Sequence, residues 1–184
     1  AHPAEIGVIT DAIATPVKVV RHAGIKAGET VAVFGAGGGL GIHMLMLAKW
    51  AHAKVIAVDI AADKFDACRE AGADTCVNPR DGDAVEAAVQ ALGRGGRMVT
   101  LGGSGSDFSA NAHRMLEKEL VLMGSRYATR QEVIDSLALC ARGDVWPLVT
   151  ETAGMADLAG AEALHDRVER GLVTGRAAII VSDG

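Results

Sequence analysis

The chain has 184 residues, 49% hydrophobic and 22% charged, with a formal net charge of −5. That leaves room for one substantial domain with an apolar core, and it offers no basic surface for nucleic acid or an anionic membrane. No apolar run reaches the ~20 residues of a membrane span, and no basic-then-apolar segment opens the chain, so a cytoplasmic protein is expected. Cys68, Cys76 and Cys140 are odd in number and form no CxxC pair. They argue against a disulfide framework and a self-contained zinc site, and read as small buried apolar side chains. The chain starts Ala1-His2-Pro3 and enters structure at once, which reads as a piece of something longer.

In chain order, short β-branched runs alternate with helical stretches, the pattern of a parallel sheet with crossover helices. Helical periodicity covers Thr15–Ala23, then a continuous apolar run predicts a doubly buried strand at Val31–Gly35. The stretch Leu40–Trp50 is apolar almost all round and should be covered on most sides. A strand at Lys54–Asp59, a helix at Ala62–Ala71 and a strand at Thr75–Asn78 follow. Beyond them come a helix at Ala84–Leu92 and strands at Arg97–Gly102 and Glu119–Ser125. Helices at Gln131–Arg142 and Ala156–Arg170 and a last strand at Ala177–Ser182 complete the pattern. The expected fold is α/β, a doubly wound parallel sheet of the Rossmann type. Its parts are a linking segment over 1–24, a dinucleotide-binding domain over 25–150 and a C-terminal helix and strand over 151–184.

The first strand runs into Gly35-Ala-Gly37-Gly38-Gly39-Leu40-Gly41. Gly35 permits a sharp exit from the strand, and Gly38 and Gly39 clear side chains from where backbone must approach a pyrophosphate. Gly41 lets the helix pack close to the sheet. N–H groups around Gly39 and Leu40 then face a phosphate at a helix N-terminus. A glycine turn is weak evidence by itself, but here a strand precedes it and an apolar helix follows. Asp59 ends the second strand 18 residues beyond Gly41, near the spacing of a ribose-binding carboxylate. It would accept from the 2′- and 3′-hydroxyls of NAD and repel the 2′-phosphate of NADP, so NAD is favoured.

Here the chain resembles the zinc-containing medium-chain alcohol dehydrogenases. Val58-Asp59-Ile60-Ala61-Ala62-Asp63-Lys64-Phe65 is similar to the family's V-D-I-x-x-D-K-F segment, where the lysine lies beside the adenosine ribose; this implies that role for Lys64. Cys76-Val77-Asn78-Pro79 is similar to the family's third-strand ending. Gly171-Leu-Val-Thr-Gly175-Arg176 resembles the terminal G-x-x-x-G-R, whose arginine clamps the cofactor phosphates, a task suited to a guanidinium fork. The segment Thr10–Pro16 is similar to the stretch carrying the third catalytic zinc ligand. Asp11 falls on that ligand's position and Thr15 on a nicotinamide contact. Aspartate can ligate zinc, while the plain alternative is that Asp11 caps the following helix. Leu101 and Gly102 fall where backbone meets the carboxamide, and Tyr127 matches a second contact region loosely. His43, His52, His113 and His165 lie on or beside helices without acidic or cysteine partners at ligand spacing, and read as structural.

Two departures stand out. The family's N-terminal domain, with its other zinc ligands, is absent. Between Asn78-Pro79 and Arg97–Gly102 one βα unit of roughly 25 residues is missing. Its strand would lie beside Val31–Gly35, so its loss forces a hole in the sheet or a re-pairing. The resemblance implies a hydride transfer between a small alcohol or carbonyl compound and NAD, zinc-assisted in the full-length parent, with this chain by itself silent. A zinc-free quinone or enoyl reductase fits the same glycine pattern, as does a nucleotide-binding module without catalysis. The resemblance also implies a homodimer through the Glu119–Ser125 edge, for which Val121→Pro suggests itself as a probe.

Overall fold

A computed structural model describes residues 3–79, 91–101 and 110–181. The chain opens on a continuous helical stretch: α1 (Pro3–Val8), a π turn (Ile9–Ile13) and α2 (Ala14–His22). Sequence periodicity places the helix start only at Thr15, because Pro16 withholds the N–H that the carbonyl of Ala12 would take. The widened turn just upstream carries the helix past that fault, as π turns commonly do at irregularities.

The core is built on α3 (Gly41–Trp50), in which every residue from Gly41 to Ala48 is buried. This helix lies against β1 (Thr30–Phe34) and β2 (Lys54–Val58), and its Met44, Leu45 and Leu47 join Val33, Val55 and Ala57 in one cluster. A 3-10 turn (Ala62–Lys64) leads into α4 (Phe65–Glu70) and β3 (Thr75–Val77). Cys68 is fully buried, and burial pushes its thiol up to about 11, as expected of an inert core cysteine. All three strands are parallel, in the order β1-β2-β3, with Val33 opposite Ala57 and Ala57 opposite Cys76.

The remaining strands form separate ladders. β4 (Arg97–Thr100) pairs in parallel with β5 (Val121–Gly124), with α5 (Ala112–Lys118) between them. α6 (Arg130–Arg142) begins at a capping box formed by Thr129 and Glu132, and packs on α2. Then β6 (Val149–Gly154), α7 (Leu158–Glu169) and β7 (Arg176–Ile180) form a parallel crossover unit against which α1 packs.

Among the described residues, β1 has no strand neighbour on the side away from β2, and β4 has none away from β5. Among the described residues this leaves a gap in the sheet between β1 and β4. The two ladders meet at one end through an ion pair, Arg97 Nη2 to Glu29 Oε2 at 2.5 Å, and Val99 packs on the core. The arginine's hydrogen bond holds the Glu29 carboxyl below its usual range. The expected helix over 84–92 falls largely outside the described residues, as does Gly102. Strand β6 and helix α5 are additional to the sequence expectations.

Candidate dinucleotide site

The glycine turn takes the form its residues dictate. Gly35 has φ +65°, a left-handed conformation natural for glycine, and its carbonyl accepts from Gly38 N–H at 3.0 Å. At Gly41 a Cβ would strike the carbonyl oxygen of Gly35, so only glycine brings α3 this close to the strand. Ile42 N–H donates to Gly38. The donors ahead of it, on Gly39, Leu40 and Gly41, have no backbone acceptor among the described residues. They are the open first-turn groups that bind anions at helix starts.

Asp59, just beyond β2, is buried, and its carboxylate is fixed by the turn itself. Oδ2 accepts from Gly37 N–H at 2.8 Å and Oδ1 from Ala61 N–H at 2.9 Å. Each oxygen keeps a lone pair for a hydroxyl. Lys64 is also buried, and its stem covers Gly37, where a Cβ would meet Lys64 Cδ at 2.6 Å. Its ammonium donates to the carbonyls of Gly171 at 2.6 Å and Val173 at 2.8 Å. In this structure Lys64 therefore ties the segment before β7 to the glycine turn.

Gly175 N–H donates to Gly37 O at 3.0 Å, a second tie between the same two segments, and Arg176 N–H donates to Leu148 O at 2.9 Å, on the approach to β6. His43, fully buried, completes the set: its Nδ1 lies 2.7 Å from Gly39 O, and its Nε2 takes the N–H of Leu148 at 2.9 Å. An acceptor Nε2 requires the neutral ring with the proton on Nδ1, so His43 donates to Gly39. Burial, reinforced by the nearby Arg176 charge against the pull of the Gly39 bond, pushes its pKa down to about 4. The sequence held no sign of this role, because both partners are backbone groups and Leu148 is 105 residues away.

Arg176 lies across the turn. A Cβ on Gly39 would meet Arg176 Nε at 2.6 Å and Cδ at 2.7 Å. That Nε is buried with no hydrogen-bond partner among the described residues. A stranded guanidinium donor at a helix start, beside open N–H groups on a turn that also binds a ribose-type carboxylate, fits a pyrophosphate-bearing dinucleotide.

Asp11 lies within the π turn and caps no helix, which removes the capping alternative. Its Oδ2 pairs with Arg176 Nη2 at 2.6 Å, and its Oδ1 accepts from the buried Thr15 hydroxyl at 3.3 Å. Both oxygens are thus engaged, one by a cation. Among the described residues no group of three His, Cys, Asp or Glu side chains gathers as a metal site. This donor set does not fit a zinc ion. Asp11 and Arg176 line a cleft of about 320 Å³ between α1 and β7. Leu101, just past β4, is half-buried and packs on the core, while Tyr127 is exposed under the Arg126 guanidinium.

Fold and site together define a Rossmann-type dinucleotide-binding domain of the medium-chain oxidoreductase class. The family profile described as zinc-binding dehydrogenase matches residues 39–87. An alcohol dehydrogenase of Geobacillus stearothermophilus is 30% identical over 197 residues, covering 95% of this chain and 57% of that protein. The alcohol dehydrogenase of the hyperthermophilic archaeon Aeropyrum pernix superposes with a TM-score of 0.83 at 27% identity, covering 96% of this chain and 58% of that one. The 2-octenoyl-CoA carboxylase reductase CinF, solved with NADP and 2-octenoyl-CoA, shares the fold at a TM-score of 0.88 and 22% identity, covering 100% of this chain and 51% of that one.

These matches liken the chain to the cofactor-binding part of zinc-type medium-chain alcohol dehydrogenases. It spans little more than half the length of these relatives. The Geobacillus alignment is longer than the 184 residues of the chain, so it opens gaps in it. Such gaps agree with a lost βα unit and with the break between β1 and β4. No described helix is long and apolar enough to cross a membrane.

Proposed function

We propose that this chain is the NAD-binding part of an oxidoreductase that transfers a hydride between nicotinamide and a small alcohol or carbonyl compound. The observation that carries the reading is the convergence on one turn of Asp59, the open N–H groups at Gly39–Gly41 and the unpartnered Arg176 Nε. The cofactor supplies the hydride chemistry when bound, and the residues of this chain bind and orient it. Asp59 would take the adenosine ribose, and the helix start and Arg176 the phosphates. Thr15 and the backbone at Leu101 and Gly102 would lie toward the nicotinamide. Titration of the chain with NAD and with NADP tests the reading: saturable NAD binding supports it, and none overturns it.

Zinc assistance, implied by the resemblance, would depend on ligands outside this chain. The engagement of Asp11 by Arg176 favours a second reading in which the parent is a zinc-free medium-chain reductase of the quinone or enoyl type. The carbonyl oxygen would then be polarised by hydrogen-bond donors. Turnover of the full-length parent, measured with an alcohol and with an enone before and after chelation, separates the two. A module that binds the nucleotide without chemistry is the outcome in which neither substrate turns over.

A further inference from the structure

Asp11 occupies the position at which the resemblance puts a zinc ligand, yet its carboxylate is engaged on both sides. It reaches across 165 residues of chain to Arg176 Nη2 and accepts from Thr15 on its other oxygen. The pair uses one nitrogen of the guanidinium, Nη2. The neighbouring Nε lies over Gly39 and is buried there without a partner. An arginine side chain free to rotate would not leave a donor stranded, since an unmet buried N–H is unfavourable. Something holds the fork in this attitude, and the described contacts offer Asp11 at one end and packing over Gly39 at the other.

We propose that Asp11 is a positioning residue for the phosphate clamp: by holding Nη2 it keeps the adjacent Nε of Arg176 over the glycine turn, facing the pyrophosphate position. The inference rests on the dinucleotide reading of the site. It gives the residue at the zinc-ligand position a different task, served from the helix preceding the Rossmann unit. The π turn suits this task. It places Asp11 and Thr15 four residues apart on one helical face, with Thr15 steadying the carboxylate that steadies the arginine.

The charge effect runs against the positioning effect, which makes the test sharp. Asp11 is an anion beside a site for anions, so deleting its charge should by Coulomb's law tighten phosphate binding. A loss of affinity on deletion therefore reports lost orientation. The experiment is calorimetric titration of the 184-residue chain with ADP, and with adenosine as a ligand lacking phosphates, near 0.15 M salt. Asp11→Ala should weaken ADP by about fivefold or more and leave adenosine unchanged, the size expected for one charge-assisted hydrogen bond. Asp11→Asn keeps an oxygen acceptor for Nη2 and should stay within about twofold of the unmutated chain for ADP.

Asp11→Ser, too short to reach Arg176, should behave like Asp11→Ala and serves if the alanine variant does not fold. Unchanged or tighter ADP binding in both short variants overturns the inference, and so does a metal-ligand role, in which ADP affinity stays unchanged while bound zinc is lost. If the unmutated chain does not bind ADP at all, the dinucleotide reading fails, and the inference with it.

Discussion

Leu148 donates its backbone N–H to Nε2 of His43, joining the approach to β6 to the first turn of α3. Through the other ring nitrogen the same imidazole holds the carbonyl of Gly39. The neutral ring is the form that satisfies both bonds, since a protonated Nε2 would confront the Leu148 N–H with a second donor.

Stability should therefore fall with acidity through this one residue. The folded-state pKa of His43 is depressed to about 4 from an ordinary value of 6.5, so between those values the unfolded chain binds more protons. Its contribution is fully present above about pH 6.5, declines as pH falls and is lost near pH 4. The depression corresponds to about 3 kcal/mol. Urea unfolding at pH 7.5 and pH 4 should show this component in the unmutated chain and not in His43→Phe. Equal pH dependence in both would remove His43 as the cause.

NAD should bind at least about tenfold more tightly than NADP, because the Asp59 carboxylate is held rigidly by Gly37 and Ala61 and cannot swing away from a 2′-phosphate. Asp59→Ala should gain NADP binding while losing NAD affinity. Fluorescence titrations with both cofactors check it, and equal affinities in the unmutated chain would refute it.

Two glycines of one turn should respond differently to alanine. At Gly41 the new Cβ meets backbone atoms of Gly35 and Ala36, which cannot yield without moving the strand end, and about 3 kcal/mol of stability should be lost. At Gly39 the Cβ meets chiefly the side chain of Arg176, which can shift at the expense of its pairing with Asp11, and the Gly175 carbonyl oxygen only at 3.1 Å. Gly39→Ala should keep its denaturation midpoint within a small margin but lose cofactor affinity. Denaturant midpoints and NAD titrations of the two variants should separate in this sense; equal loss of stability in both would contradict it.

The edge of β5 is expected to pair with a second copy, and the structure changes the choice of probe. Val121 N–H donates inward to Gly96 O and Ser125 N–H to Thr100 O, so Leu122 and Gly124 face the outer edge. Val121→Pro would damage the β4–β5 ladder, whereas Leu122→Pro removes an outward donor. Leu122→Pro should shift a dimer toward monomer in light scattering behind size exclusion. A concentration-independent monomer in the unmutated chain would rule the dimer out.

The 184-residue chain should show no zinc-dependent alcohol oxidation, since its single candidate ligand is already paired. A spectrophotometric NADH assay with simple alcohols and added zinc tests this, and turnover above background would show it wrong.

The parts of this molecule written in local pattern were legible in the sequence. Strands β1 to β5 and β7 lie within the expected segments or within one residue of them, because continuous β-branched runs between helices have few other uses. Strand β6 was not legible: Val149-Thr-Glu-Thr-Ala-Gly154 alternates half-buried and exposed residues and carries no apolar run. Helix α5 buries no residue and is defined by its Asn111 cap and the left-handed Glu119, so periodicity had little to report. At the site, Gly35, Gly38, Gly39, Gly41 and Asp59 were readable from spacing, and Arg176 and Lys64 from resemblance. The attachments of Lys64, His43 and Asp11 were not, because each reaches a partner 105 or more residues distant, and short-range sequence pattern carries no such information.

The stitching of Gly171–Arg176 onto the glycine turn has a consequence for how the protein is made. Synthesis proceeds from the N-terminus at roughly 5–20 residues per second, and early segments begin to fold while later ones are still being added. The glycine turn, the buried α3 and Asp59 are made by residue 59, but the carbonyls that seat Lys64 and the guanidinium over Gly39 come only from residue 171 onward. A nascent chain therefore carries the nucleotide turn long before it can close it. On the dinucleotide reading, a ribosome stalled before residue 171 would hold a chain with the glycine turn but without the groups that close it.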